Sequence, residues 1–325
     1  MSLAVNTLNQ ILIIFTIILI GVLCYKIKLI DEDTNKKLSD ILLLLVNPIV
    51  IFVSYQRDFS SELMEGLLVS LLLSIVTHTV AIAVSYILIK KKKRKKIVIS
   101  GTVINKWVDN DDVAVERTAG IYANVSFMGI PLVYGVFGSE GVFYVTASIT
   151  IFNILLWTHG IIMMSGSKEM NFKSMLKKLL SPSIIAVVIG IVFYILQIRL
   201  PGTIDQALNY VADLNTPFAM LIAGVTIGKT NILKLLTKPR VYLVTFIKLL
   251  LVPLILVLVY SRFSLNNMVY IIAIIMAGAP SAATSILFSI KFEKNSVLAA
   301  EIFTMTTILS AITIPLVVTI AELFI

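Results

Sequence analysis

Two apolar stretches of the chain are interrupted by residues that break helices and supply hydrogen-bond donors. The first interruption reads Ala-Asn-Val-Ser-Phe-Met-Gly-Ile-Pro over 123–131, and the second reads Gly-Ala-Pro-Ser-Ala-Ala-Thr over 278–284. Glycine and proline weaken or break the helical ladder and leave main-chain N–H and C=O groups free. In a membrane such groups persist only inside protein or beside a water-filled cavity. The helix N-termini at these breaks therefore predict a site for an anionic group.

The breaks also contain the side chains that we expect to contact a substrate. Asn124 is the first candidate because its amide can donate to a carboxylate, although the same amide could serve a helix–helix bond. The serines and the threonine add hydroxyl donors, or else bond back to their own helices. The predicted substrate-binding residues are Asn124, Ser126, Pro280, Ser281 and Thr284. The residues predicted to shape the breaks are Gly129, Pro131, Gly278 and Ala279.

Ionisable residues inside apolar segments form a second set of candidates, because burying a charge in hydrocarbon is expensive. Lys248 and Glu301 suggest an ion pair or a coupling element, unless each reaches the interface by snorkelling. His78 and His159 could carry protons near neutral pH, or serve as hydrogen-bonded packing residues. Neither their spacing nor a third ligand supports a metal site. Asn153 is a further polar residue in an apolar segment, and the sequence does not show in which direction its side chain points.

The surrounding composition is that of a membrane protein. Of the 325 residues 58% are hydrophobic and 14% are charged, whereas soluble domains average about 45–50% and about 25%. The single cysteine, Cys24, excludes a disulfide framework. About 20 apolar residues cross a bilayer as a helix. Ten apolar segments are predicted, at about 9–25, 37–55, 64–89, 118–137, 142–164, 182–198, 206–228, 240–261, 267–290 and 296–321.

The positive charges alternate between the connectors of these ten spans. Odd-numbered connectors hold 23 of the 27 Lys and Arg residues, even-numbered connectors hold 3, and Lys248 lies inside a span. Because Lys and Arg mark the cytoplasmic side, this pattern predicts ten spans with both termini outside. The net charge of +9 is thus a topology signal and does not indicate nucleic acid. The run Lys90–Lys96 is interpreted as a solvated cytoplasmic loop near anionic lipid.

The two halves of the chain resemble each other. Gly21 precedes Pro48 by 27 residues, and Gly190 precedes Pro217 by 27 residues. The motifs Leu-Val-Asn-Pro and Leu-Asn-Thr-Pro close these intervals, and Asn47, Pro48, Thr216 and Pro217 are predicted to kink their helices and line a cavity. Five spans in each half give opposite orientations, as in many secondary transporters. The predicted units are repeat 1–164, connector 165–181 and inverted repeat 182–325.

One alternative rests on the acidic cluster Asp109-Asn110-Asp111-Asp112. A membrane prenyltransferase would hold Mg²⁺ on a diphosphate through two such clusters on facing helices. The other dense cluster, Asp31-Glu32-Asp33, lies in a connector among basic residues, so a solvated loop is the preferred interpretation. No zinc signature, phosphate-cradling glycine loop or catalytic triad is present in the sequence. No cofactor, metal or enzymatic activity is predicted.

The stretch Asn-Val-Ser-Phe-Met-Gly-Ile-Pro-Leu at 124–132 and the last two spans resemble the auxin efflux carrier family, and the likeness extends over the whole chain. This resemblance implies a scaffold domain of spans 1, 2, 6 and 7 and a transport domain of spans 3–5 and 8–10. It also implies that spans 4 and 9 cross at their breaks, that substrate binds there, and that a homodimer in the cell membrane moves it by an elevator mechanism. Plant members carry a proline where this chain has Ala123.

The sequence thus predicts an all-α polytopic membrane protein that transports a small organic anion. The compact chain favours a bacterial-type carrier of acids such as malonate or malate over a plant auxin carrier. Two alternatives stay open, namely a cation or proton antiporter of the same crossed-helix architecture and, less favoured, the prenyltransferase-type enzyme. A cation carrier would favour carboxylates at the breaks, and spans 4 and 9 have none there.

Overall fold

The computed structural model describes residues 3–99, 102–165, 180–231, 235 and 237–325. Its first half contains α1 (Leu3–Lys26), α2 (Glu32–Ile41), α3 (Asn47–Ser54), α4 (Ser61–Leu88), β1 (Lys92–Ile99), β2 (Thr102–Asp109), α5 (Val113–Ile121), α6 (Ile130–Leu155) and α7 (Ile161–Ser165). Its second half contains α8 (Pro182–Ile195), α9 (Gly202–Ala212), α10 (Asn215–Lys229), α11 (Pro239–Phe246), α12 (Val252–Tyr260), α13 (Asn267–Gly278), α14 (Thr284–Lys291) and α15 (Ser296–Glu322). The predicted connector charges Lys168, Lys173, Lys177, Lys178 and Lys234 lie outside the described residues.

Seven helical segments in the described part of the chain are long and apolar enough to cross a membrane. Two shorter apolar helices, α8 and α13, accompany them. The longest segment, Val125–Ser165, has 41 residues and turns at Gly138, where φ is +64° and ψ is −156°. Glycine adopts this conformation without the steric cost that a side chain would add. The expectation of a helical polytopic membrane protein is confirmed.

Short π-helical turns precede three of the prolines. The residue before each proline donates its N–H to the carbonyl five residues back, and the three donors are Asn47, Ile130 and Val252. Proline has no N–H to donate, and its ring clashes with the carbonyl of residue i−4. The extra residue of a π turn accommodates this local break in the ladder, and such turns often occur at functional sites. The third of these turns, Ile247–Leu251, contains Lys248.

The most extensive helix contact joins α1 to α10 and depends on two glycines. A Cβ at Gly21 would lie 2.5 Å from the carbonyl oxygen of Leu221, and a Cβ at Gly224 would collide with the main chain at Ile18. Small residues let membrane helices approach this closely. A second close helix contact joins α3 to α8, where Gly190 lies against the ring of Tyr55.

Replacing Gly224 with valine is expected to destabilise the protein by at least ~2 kcal/mol, because the added side chain must separate α1 from α10. Thermal unfolding of detergent-solubilised protein measures the effect. Gly202→Val is the matched control, since no atom lies within 4 Å of a Cβ built there. Equal unfolding temperatures for the two variants would refute this role of the close contact.

One hairpin interrupts the helices in the described part of the chain. Strands β1 and β2 pair antiparallel between α4 and α5, in a stretch that the sequence predicted to be a loop. The prediction for the following residues also needs correction. Helix α5 begins at Val113, not near 118, so Arg117 is a buried helical residue instead of a connector charge.

Candidate functional site

The two breaks meet through their main chains. Ala123 and Ser281 form an isolated antiparallel bridge. Beside it, the N–H of Asn124 donates to the carbonyl of Pro280 at 2.8 Å, and the N–H of Ala282 donates to the carbonyl of Tyr122 at 2.9 Å. Free main-chain groups of one broken helix are thereby satisfied by those of the other. The end of α5 and the end of α13 are held together at this point.

Ser281 serves this junction as an anchor. Its hydroxyl donates to the carbonyl of Ala119 at 2.7 Å, and its N–H donates to the hydroxyl of Thr306 at 3.1 Å. These bonds connect the second break to α5 and α15. Because Ser281 is fully buried and bonded in this way, its hydroxyl is engaged by the protein itself.

The side chains of the other predicted contact residues make fewer hydrogen bonds than that of Ser281. The side chain of Asn124 has no hydrogen-bond partner among the described residues, although the residue is 95% buried. The hydroxyl of Thr284, at the start of α14, is buried and without a partner in the described structure. Ser126 is half-buried, beside Asn124 on the first break. Unsatisfied buried polar atoms are costly unless water or a ligand meets them.

Lys248 lies against the second break and is 99% buried. Its Nζ donates to the carbonyl of Ala277 at 3.0 Å, in the last turn of α13. The C-terminal end of a helix carries partial negative charge, so a cation is favoured there. One of three possible donor hydrogens of the ammonium group is used in this bond.

The predicted pair between Lys248 and Glu301 is wrong. Glu301 accepts from Nζ of Lys238 at 2.6 and 2.7 Å, in an ion pair at the start of α11. Lys248 has no carboxylate partner among the residues that the structure describes. Lys238 precedes Lys248 by ten residues, almost three helical turns, and it is Lys238 that contacts Glu301 on α15, whereas Lys248 contacts the end of α13.

A narrow cleft joins Lys248 to the first break. Its free volume is about 10 Å³, roughly the space of one water-sized sphere. The polar part of the lining consists of Ser74, Thr77, His78, Ser148 and Lys248, and the remainder consists of Ile121, Ala123, Val125, Ala273 and Met276. Every one of these lining residues is described by the structure, and none is acidic. The lining therefore offers one lysine, one histidine and three hydroxyl side chains, and no carboxylate.

His78 enters this cleft from α4. Its Nδ1 lies 2.8 Å from the carbonyl of Ser74, and since a carbonyl only accepts, that nitrogen carries the proton. The hydroxyl of Ser74 is buried and lacks a partner within the described residues. The sequence did not single out Ser74 and Ser148, because a serine in an apolar helix does not show whether its side chain points to the lipid or to the protein interior.

His159 occupies a different place. Its Nδ1 lies 2.9 Å from the hydroxyl of Tyr122, and its Nε2 lies 3.2 Å from the hydroxyl of Tyr86. The two tyrosines hold the ring beside the first break and outside the cleft. Asn153 donates to the carbonyl of Ile149 at 2.8 Å on its own helix, as expected of a packing residue.

The two asparagine-proline motifs contribute a separate polar pair. Asn215 donates through Nδ2 to Oδ1 of Asn47 at 2.6 Å, and both residues are buried. The other amide atoms, Asn47 Nδ2 and Asn215 Oδ1, have no partner in the described structure. Pro48 lines a shallow apolar groove against α8, and Thr216 and Pro217 are half-buried. None of these four predicted kink residues lines the Lys248 cleft.

Gly129 lets the two broken helices approach each other. A Cβ at this position would lie 2.9 Å from Sδ of Met276, which lines the cleft from α13. Gly278 has no such constraint, because its nearest neighbour would be Pro253 at 3.7 Å. Pro131 is buried in the first turn of α6, and Ala279 is fully buried at the end of α13.

A buried charge network that sequence reasoning missed lies at the start of α5. Glu116 is 99% buried. Its carboxylate accepts from Nε of Arg240 at 2.7 Å and from a terminal guanidinium nitrogen of the same arginine. Asn110 donates to the same carboxylate at 2.8 Å. The described residues contain no group of three or more His, Cys, Asp or Glu that could hold a metal ion. Asn110 of the acidic cluster 109–112 therefore has a structural role, since it is buried and bonded to Glu116.

Arg240→Met is expected to destabilise the protein by about 3 kcal/mol, because it leaves the Glu116 carboxylate buried with Asn110 as its remaining partner. A thermal melt in detergent checks this. The matched variant Glu116→Gln with Arg240→Met removes both charges and should recover most of the loss. An unchanged melting temperature in the single variant would show that the pair contributes nothing.

Comparison with known proteins agrees with this architecture. The chain is 22% identical over 319 residues to an uncharacterized transporter of Methanothermobacter thermautotrophicus, covering 95% of this chain and 96% of that protein. It is 27% identical over 129 residues to the uncharacterized transporter YfdV of Escherichia coli K12, covering 39% and 40%. The model of a family described as membrane transport protein matches residues 7–318. The chain therefore belongs to the membrane transport protein family, the family of the auxin efflux carriers that its sequence resembles.

Proposed function

We propose that this membrane transporter is a secondary carrier of a small organic anion that binds at the paired helix breaks. The observation that carries the proposal is Lys248, a buried lysine in the cleft beside the breaks with no carboxylate partner among the described residues. A buried charge without a counter-ion is costly and marks a functional site by default. An anionic substrate supplies the missing charge.

The donors around Lys248 suit a carboxylate. The ammonium has two donor hydrogens beyond its bond to Ala277, and the hydroxyl of Ser74 is buried without a partner in the described structure. Charge-assisted hydrogen bonds of this kind are roughly twice as strong as neutral ones. The apolar lining from Ile121, Val125 and Met276 leaves room beside the carboxylate for a small carbon skeleton once the cleft opens.

The inverted repeat is supported by the symmetry of the breaks. If Ala123 and Asn124 are equivalent to Pro280 and Ser281, exchanging the halves turns the Ala123–Ser281 pair into the Asn124–Pro280 pair. Both pairs are present. The glycine contacts follow the same rule, since Gly21 of the first span packs on α10 and Gly190 of the sixth packs on the end of α3. We therefore infer ten spans in two inverted halves, with both termini outside.

An elevator mechanism fits the division of the helices. Helices α1, α3, α8 and α10 pack in pairs as a scaffold, whereas α4, α6, α13 and α15 surround the breaks. Polar bonds join the two groups at several points, among them Tyr55 to Thr146 at 2.6 Å and Thr230 to Thr304 at 2.9 Å, and these bonds must exchange when the groups move. The cleft lies within the second group, lined from α4, the first break, α6, the turn that carries Lys248, and α13, so a bound substrate travels with that group. Dimerisation through the scaffold, in the cell membrane, belongs to the same proposal.

Uptake by purified protein in proteoliposomes tests the function. The substrates are malonate, malate, further dicarboxylates and indole-3-acetate, each with and without a proton gradient, a sodium gradient and a membrane potential. We expect saturable uptake of at least one acid. Movement of Na⁺ or H⁺ without any organic-acid dependence would overturn the proposal and favour the cation antiporter. Turnover of a prenyl diphosphate by the same preparation would favour the enzyme.

A further inference from the structure

His78 lines the cleft beside Lys248 with one ring nitrogen that no described residue engages. Its Nδ1 donates to the carbonyl of Ser74 at 2.8 Å, so in the neutral ring the other nitrogen, Nε2, carries a lone pair. Nε2 has no hydrogen-bond partner among the described residues, although the side chain is buried. The ring can therefore accept one proton at Nε2 and donate from it to a group bound in the cleft.

The groups that face His78 include one cation and, in the described part of the chain, no carboxylate. Lys248 lines the same cleft, and the ring of Tyr122, which follows α5, has its centre 6.4 Å from that of the imidazole. Tyr260 of α12 bonds to Thr77, the residue before His78, at 2.8 Å. The lining residues from α6 and α13 are uncharged, namely Ser148, Ala273 and Met276. The ammonium of Lys248 and burial thus both oppose a positive charge on His78 while the cleft holds no anion.

Charge balance in the cleft sets how many protons a substrate needs. Burying net charge inside a membrane protein is expensive, and an anion with one carboxylate is balanced by Lys248 alone. A second carboxylate finds no second lysine or arginine in the lining. Protonation of His78 supplies that charge, and a nearby carboxylate favours the protonated imidazole. Binding of the proton and binding of a dicarboxylate therefore strengthen each other.

We propose that His78 takes up a coupling proton, so that the carrier moves one proton with each small dicarboxylate and none with a monocarboxylate. The proton binds at Nε2, and the resulting N–H donates to one carboxylate while Lys248 holds the other. When the substrate leaves on the other side, repulsion from Lys248 favours loss of the proton to water there. The inference rests on the proposed function, because it requires an organic anion at Lys248, and it adds the charge class of the substrate and the coupling ion.

Proteoliposomes that contain a pH-sensitive dye test this rule with two matched substrates. Malonate and monomethyl malonate share a carbon skeleton and differ by one carboxylate. Uptake and internal acidification are measured together near neutral pH, and the signals of protein-free vesicles are subtracted. We expect one proton for each malonate and none for the methyl ester. Each substrate then carries one net negative charge, so an imposed membrane potential should change both uptakes equally.

His78→Gln keeps a polar side chain of similar length that cannot take up a charge. It should abolish proton movement with malonate and raise the KM for malonate by about 10-fold or more, the loss of one hydrogen bond to a charged group. The KM for the methyl ester should stay unchanged. His159→Gln is the matched control, because both of its ring nitrogens lie against tyrosine hydroxyls outside the cleft, and its proton movement should equal that of the parent protein.

The possible results separate this inference from the proposed function. Malonate uptake without proton movement, or equal proton movement with the two substrates, would overturn the inference and leave an organic-anion carrier. Uptake of the methyl ester alone would do the same, and so would proton movement with malonate that persists in His78→Gln. If that variant does not fold, the two substrates in the parent protein still test the charge rule, and His78→Asn tests the residue. Failure to take up any organic acid would overturn the proposed function and the inference together.

Discussion

Replacing Lys248 with methionine should lower organic-anion uptake by at least ~100-fold while leaving the protein folded. Methionine keeps most of the volume of the lysine stem but removes the only cation in the cleft lining. Truncating one partner of a buried charge pair costs about 2–5 kcal/mol, and 2.7 kcal/mol corresponds to about 100-fold in affinity. Initial rates in proteoliposomes over a range of substrate concentrations measure the loss. Lys248→Arg retains the charge and should recover part of the uptake.

The control for this prediction is Lys291→Met, which removes an exposed lysine at the end of α14. Its uptake should match that of the parent protein. Parent-like uptake by Lys248→Met would show that the buried lysine is not the anion partner. Because the lysine is held by a carbonyl and not by a carboxylate, its removal leaves no unpaired charge, and a normal melting temperature is expected.

Asn124→Ala is expected to raise the substrate KM by about 10–100-fold, which corresponds to the loss of a hydrogen bond to a charged group. The main-chain bond from Asn124 to Pro280 does not depend on the side chain, so the junction of the breaks should persist. Uptake kinetics and thermal unfolding are measured together. Asn153→Ala is the matched control, because its amide bonds to its own helix, and its KM should stay unchanged.

Two outcomes would contradict the assignment of Asn124. An unchanged KM would remove its side chain from the site. A lower melting temperature with normal kinetics would show that the amide serves helix packing instead. The structure leaves the side chain without a partner among the described residues, which favours the role in binding.

The sequence predicted the breaks well because proline, glycine and small polar residues in an apolar run are local signals. Asn124 and Pro280 indeed lie where the helices end and where the main chains meet. The junction itself joins residues more than 150 positions apart, and local hydropathy carries no information about such a contact. The same limit explains why the bond between Asn47 and Asn215 was not foreseen, although both motifs had been recognised as equivalent.

Charged residues were harder to place than the helices. Lys248 and Glu301 were both recognised as unusual, but their pairing was wrong because Lys238 lies closer to the carboxylate. Arg117 and Arg240 were counted with solvated connectors, yet Arg117 is buried and Arg240 pairs with the buried Glu116. Helix α5 begins at Val113, before the apolar segment predicted from about 118, and the helical residues ahead of that segment include the buried Arg117. The hydropathy pattern does not show that the helix begins this early.

By itself the sequence determined that this is a helical membrane transporter, because apolar content, helix length and family likeness depend on residues read in order along the chain. It also located the helix breaks. Only the tertiary structure decided that the breaks bond to each other, that Lys248 caps α13 beside His78, and that a basic loop is a hairpin. These features arise from contacts between distant segments, whose geometry is set by how the helices pack.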